Sequence, residues 1–137
     1  MSKRTSLTSR RPSRRLRFLP AILASSAIAA PALAQSFSGD GTFYDPSVGV
    51  GACGFEVPGA DAYVAALNPD QFAEGAACGR CIEVHGPDGS VVVRVIDLCP
   101  SCASGSVDLG QGPFREIADP DQGRVPITWD FVDCAGR

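Results

Sequence analysis

Apolar and polar positions alternate in short runs along most of the chain. In "CIEVHG", residues 81–86, Ile82 and Val84 alternate with Glu83 and His85, the period-two pattern of a strand with one buried face. "PDG" at 87–89 is a turn signal, and "SVVVRVIDL" returns with Val91, Val92, Val93, Val95 and Ile96. The spacing predicts a β-hairpin over 81–97. "GTFYD" at 41–45 sets Phe43 and Tyr44 on opposite faces, and "AYVAAL" at 62–67 reads as a further strand. "VPITWDFVDC" at 125–134 reads as a last strand, with Pro126 tolerable because it sits near the start. Two segments are helical instead. "PDQFAEG" at 69–75 places Asp70 early in a turn, and "GPFREIAD" at 112–119 places Pro113 at the first helical position with Phe114 and Ile117 three apart. Many short strands joined by Gly- and Pro-rich connections predict an all-β closed barrel with minor helices.

The first 34 residues follow a different pattern. Residues 1–17 carry seven Lys and Arg and no acid, and "FLPAILASSAIAA" is an apolar stretch too short to span a bilayer. "PALAQ" supplies an A-x-A site at Ala32 and Ala34. This is the layout of a secretory signal peptide. A basic tail for nucleic acid needs neither the apolar run nor the cleavage site. "SRRLRFL" is similar to a twin-arginine signal with its spacing off by one residue. The predicted organisation is a signal peptide over 1–34 and one secreted, extracellular domain over 35–137, enough for one core and too few for two. "QSFSG" after the leader is expected to be a frayed N-terminus.

Removing the leader changes the charge. The whole chain has 12 Lys plus Arg against 15 Asp plus Glu, a net −3. Seven of the basic residues lie in the leader and every acid lies outside it, so the remaining five leave the mature part at −10. Such a domain does not hold DNA or an anionic membrane surface by bulk charge. A neutral polymer or a basic partner fits it, and the domain is expected to be a monomer.

All six cysteines lie beyond the leader: Cys53, Cys78, Cys81, Cys99, Cys102 and Cys134. "CGRC" and "CPSC" have the spacing of a four-cysteine zinc ribbon. An oxidising compartment favours disulfides, and the even count satisfies three of them. A redox-active C-x-x-C opens a helix, whereas "CPSCASGS" runs into small turn residues. Three disulfides with no metal and no cofactor are therefore expected, and spacing leaves all fifteen connectivities open.

Six motifs occur in order: "GDGTFYDPSVGVGACGF", "VAALNPDQF", "ACGRCIEV", "VVVRVIDLCPSC", "SVDLGQGPFREIA" and "VPITWDFVDC". Together, over residues 38–134, they resemble the double-psi β-barrel domain of expansins and expansin-like proteins. Barwin, the family-45 endoglucanases and rare lipoprotein A share that barrel. The resemblance implies a six-stranded double-psi β-barrel stapled by Cys53–Cys78, Cys81–Cys134 and Cys99–Cys102. It implies Asp108 as the acid that expansins need, Asp97 as its companion, and Thr42 and Tyr44 as groove residues. Two neighbouring carboxylates disfavour double ionisation, so a protonated Asp108 would donate to a sugar oxygen while Thr42 and Asp97 orient it. Read without the resemblance, Asp97 accepts backbone N–H bonds and Asp108 caps the next segment.

The implied function is non-hydrolytic loosening of cell-wall polysaccharide, be it cellulose, chitin or peptidoglycan. An endoglucanase would need a second carboxylate roughly 6.5–9.5 Å away. Asp45 is the candidate base, one residue early relative to the endoglucanase pattern. The histidine of rare lipoprotein A has no counterpart in "AALNPDQF", and His85 reads as a solvated residue. With the sequence ending at Arg137, the second, aromatic-bearing domain of most expansins is expected to be absent. Trp129, Phe131 and Phe114 are expected in the core, with Phe43 a buried neighbour of Tyr44. A third reading is a cysteine-protease inhibitor or defence protein acting through exposed loops such as "DPSVGVGACGF".

Overall fold

The computed structural model describes residues 35–135 and Ala29; the leader predicted over 1–34 otherwise lies outside the described residues. Among the described residues there are six strands: β1 (Phe37–Tyr44), β2 (Val64–Leu67), β3 (Cys81–His85), β4 (Ser90–Leu98), β5 (Val107–Gly110) and β6 (Val125–Val132). They close into a barrel in the order β1-β5-β2-β4-β3-β6. β1 runs parallel to β5 and β2 parallel to β4, while the other four pairs are antiparallel. Closure pairs every strand on both sides, so no edge is left to recruit another chain. The fold is the double-psi β-barrel that the six motifs imply.

The predicted hairpin is β3 and β4, with Ile82 opposite Val93 and Val84 opposite Val91. All four side chains are buried. The alternation in "CIEVHG" thus records one inward and one outward face. β6 follows the same logic: Val125, Ile127 and Trp129 are buried, and Pro126 sits second in the strand.

Three expectations are corrected. "QSFSG" is not frayed, because Phe37, Ser38 and Gly39 belong to β1, and Phe37 stacks on Trp129 with ring centroids 4.5 Å apart. The second helix, α2 (Gln111–Ile117), starts before Pro113. The Gln111 N–H donates to Ala60 O at 2.9 Å, and a proline in the first turn removes no intrahelical bond. Phe131 is only partly buried and lies on the barrel flank, where the Arg80 guanidinium sits 3.6 Å from its ring centroid. Trp129 and Phe114 are core residues as expected, and Phe43 packs on Phe114 at 4.7 Å.

One crossing locks the barrel together. Gly39 on β1 meets Gly105, just before β5, so closely that a Cβ on Gly39 would lie 2.5 Å from the Gly105 carbonyl carbon. Gly105 has φ +81° and donates its N–H to Gln71 Oε1 at 2.8 Å. Its carbonyl accepts the Trp129 indole N–H at 2.8 Å. The fully buried Asn68 donates to Ser106 O at 3.0 Å and caps α1 (Pro69–Phe72) by accepting the Gln71 N–H. This network satisfies polar groups that the close crossing would otherwise strand. Disulfides join Cys53 to Cys78, Cys81 to Cys134 and Cys99 to Cys102.

Candidate functional site

Side chains two apart on a strand share a face, so Thr42 and Tyr44 lie together on β1. Thr42 is the register partner of Asp108 on β5, Asp108 of Ala66 on β2, and Ala66 of Asp97 on β4. Four adjacent strands thus set Thr42, Asp108, Ala66 and Asp97 in one row. Ala66 is small and buried, so no bulky side chain separates the two carboxylates. At a strand spacing of about 4.8 Å, two steps put the Asp97 and Asp108 backbones about 9–10 Å apart.

Thr42 Oγ1 donates to Asp108 Oδ1 at 2.8 Å. Burial pushes the Asp108 carboxyl above its ordinary value. The Thr42 hydrogen bond and the Arg124 guanidinium pull it down, and the Asp97 charge adds a smaller upward push. The expectation that carboxylate–carboxylate repulsion holds the proton is therefore corrected: desolvation is the main cause. Thr42 thus engages Oδ1 of the carboxyl. Asp108 does not cap α2, whose N-cap is Gly110.

Tyr44 closes the other end of this face. Its hydroxyl is buried and has no hydrogen-bond partner among the described residues. Burial raises the phenol far above its ordinary value, and the Asp97 and Asp108 charges push the same way. It stays protonated at any physiological pH, an unused donor close to both acids.

Asp97 and Asp45 both accept backbone N–H bonds, Asp97 from a distant loop and Asp45 from its own turn. Asp97 Oδ1 accepts the Ala52 N–H at 2.7 Å and the Leu98 N–H at 2.8 Å. Asp45 lies just beyond β1, where Oδ1 accepts both the N–H and the hydroxyl of Ser47 at 2.9 and 2.5 Å. Those bonds hold its carboxyl below the ordinary value, the signature of a turn-forming aspartate. His85 is exposed at the end of β3, 3.9 Å from Glu83. Among the described residues no group of three or more His, Cys, Asp or Glu could hold a metal ion.

Two features of the site have no local sequence signal. The Arg124 charge acts on Asp108 from 16 residues away in sequence, while its guanidinium pairs with Asp40 at 3.1 Å. Gly51 rests on Asp97, where a Cβ would lie 2.9 Å from Asp97 Cγ. The loop between β1 and β2 also presents Val48 and Val50, 81% and 65% exposed.

A family model described as lytic transglycolase matches residues 64–129. An EG45-like domain containing protein of Citrus jambhiri is 31% identical over 110 residues, which cover 71% of this chain and 82% of that protein. A papain inhibitor of Streptomyces mobaraensis is 32% identical over 136 residues, 87% of this chain and 94% of that protein. Among solved structures, a Clavibacter michiganensis expansin variant in complex with cellohexaose aligns with a TM-score of 0.65 at 32% identity, over 72% of this chain and 50% of that one. The chain spans about a third of the length of the Bacillus subtilis and rice expansins it matches, 33% and 31%.

Proposed function

The chain belongs to the double-psi β-barrel family of expansins and EG45-like domain proteins, and from that premise we propose that it binds cell-wall polysaccharide and loosens it without hydrolysis. The Thr42–Asp108 pair carries the reading. A carboxyl that burial shifts toward its protonated form can donate to a glycan hydroxyl or bridging oxygen, with Tyr44 beside it on the same face. Exchanging hydrogen bonds between glycan chains needs donors on a groove, and no covalent step. Hydrolysis with inversion also needs a base across the sugar ring, and Asp45, the candidate, is tied into its own turn by Ser47. The cellohexaose bound by the Clavibacter expansin supports a β-glucan as ligand class. Three disulfides suit a secreted protein acting outside the cell.

The test is a pull-down of the mature protein on insoluble cellulose, chitin and peptidoglycan, with soluble sugar measured on each. Retention without release supports the reading. Steady oligosaccharide release that Asp45→Asn and Asp108→Asn both abolish would promote the endoglucanase instead.

A second reading, inhibition of a cysteine protease, draws on the exposed Val48 and Val50 and on the near full-length match to the papain inhibitor. Titration of papain distinguishes the two. An inhibitor loses potency in Val48→Asp and is indifferent to Asp108→Asn.

A further inference from the structure

We infer that Asp97 is a positioning residue: its Oδ1 latches the loop between β1 and β2 onto the end of β4, and its negative charge is dispensable. The inference rests on the polysaccharide reading for its functional consequence, and on geometry alone for the latch.

Three contacts tie the returning limb of that loop to one point. Asp97 Oδ1 accepts the Ala52 N–H at 2.7 Å. The next residue, Cys53, donates its N–H to Ile96 O at 3.0 Å. Gly51 lies so close that a Cβ there would meet Ile96 O at 2.7 Å and Asp97 Cγ at 2.9 Å. The same Oδ1 accepts the N–H of Leu98, so a single oxygen aligns the loop and the strand end together. The outgoing limb has its own tie at Asp45 and Ser47. Beyond the returning limb, the Cys53–Cys78 disulfide fixes the loop to the segment before β3. Between these anchors the chain stands out, with Val48 and Val50 at its tip.

The loop leaves β1 directly after Tyr44 and comes back at Asp97, and both residues lie beside the Thr42–Asp108 row. Its position therefore sets the wall at that end of the groove. Asp97 acts on a bound glycan through this wall. Its Oδ2 accepts no hydrogen bond among the described residues, so a direct role for the charge would have to use that oxygen. Asparagine keeps an Oδ1 acceptor and replaces Oδ2 with an amide, which separates the two roles.

The mature protein is compared with Asp97→Ala, Asp97→Asn, Gly51→Ala and Asp108→Asn. Two quantities are read: hydrogen exchange of the Ala52 amide, and the fraction retained on amorphous cellulose. Asp97→Ala should speed Ala52 exchange about tenfold or more, the scale of one lost hydrogen bond, and lower retention at least about fivefold. Gly51→Ala should do the same with Asp97 intact, since the new methyl unseats the loop. Asp97→Asn should restore both to within about twofold of wild type. Asp108→Asn should leave Ala52 exchange unchanged. Asp97→Asn with a protected Ala52 amide and the poor retention of Asp97→Ala would overturn the inference, because the charge would then act in the groove. So would Asp97→Ala with Ala52 still protected. If wild type itself is not retained on cellulose, the β-glucan reading fails, and Ala52 exchange still decides the latch.

Discussion

Thr42 and Asp108, 66 residues apart in sequence, face each other across the parallel β1–β5 pair and share a 2.8 Å hydrogen bond. The bond stabilises the ionised carboxylate, while burial of the same group opposes ionisation and prevails. The balance moves the Asp108 carboxyl upward from its ordinary value.

Asp108→Asn should fold like wild type and lose wall loosening. Because the folded-state value of Asp108 lies above the unfolded one, the folded protein binds more proton, and its contribution to stability is lost as pH rises through the folded value. The variant lacks this loss, so its melting temperature should gain on wild type as pH climbs from about 4. Melts across pH check the sign, and creep of filter paper under load checks the function.

Thr42→Val removes the bond that pulls the Asp108 value down. The carboxyl should then stay protonated to higher pH, and the alkaline limb of the loosening profile should move up. Stability should fall by about 0.5–1.5 kcal/mol, the net worth of one hydrogen bond. A pH profile that moves down would contradict the assignment.

Tyr44→Phe deletes a buried hydroxyl that has no partner among the described residues. The folded protein should be no less stable, and up to about 1 kcal/mol more so, because an unsatisfied buried donor carries a desolvation cost. Retention on polysaccharide should fall. Denaturant melts and the pull-down read the two effects separately.

Reduction should raise the intact mass of the mature protein by six hydrogens, matching the three disulfides. Their stabilities should differ by loop size. Paired Ser substitutions at Cys81 and Cys134, 53 residues apart, should cost about 4 kcal/mol, and at Cys99 and Cys102, three apart, about 1–2 kcal/mol. Urea midpoints of the two double variants check the ranking.

Gly39→Ala should be strongly destabilising. Its Cβ would enter the Gly105 backbone, which is bonded to both Gln71 and Trp129 and cannot give way. A loss of about 3 kcal/mol or more is expected, read as a fall in melting temperature or in soluble yield.

Periodicity alone determined much of the barrel. The hairpin of β3 and β4 is written in the alternation of Ile82 and Val84 and in the valines that answer them, because each side chain chooses its face from its immediate neighbours. The family resemblance placed Thr42, Tyr44, Asp97 and Asp108 in a groove. β5 had no comparable pattern: Val107 and Leu109 are its only apolar pair, in a four-residue strand whose parallel partner lies 66 residues upstream. The N-terminal "QSFSG" looked unstructured for the same reason, since Phe37 becomes a core contact only when Trp129 arrives. The roles of the acids were equally non-local. Asp97, Asp108 and Asp45 are one residue type, and what separates them is a loop amide from Ala52, burial beside Thr42, and a neighbouring serine. Of these, only the serine lies within reach of a local reading. The other two exist only once the strands have closed, because closure brings Ala52 to Asp97 and removes water from Asp108.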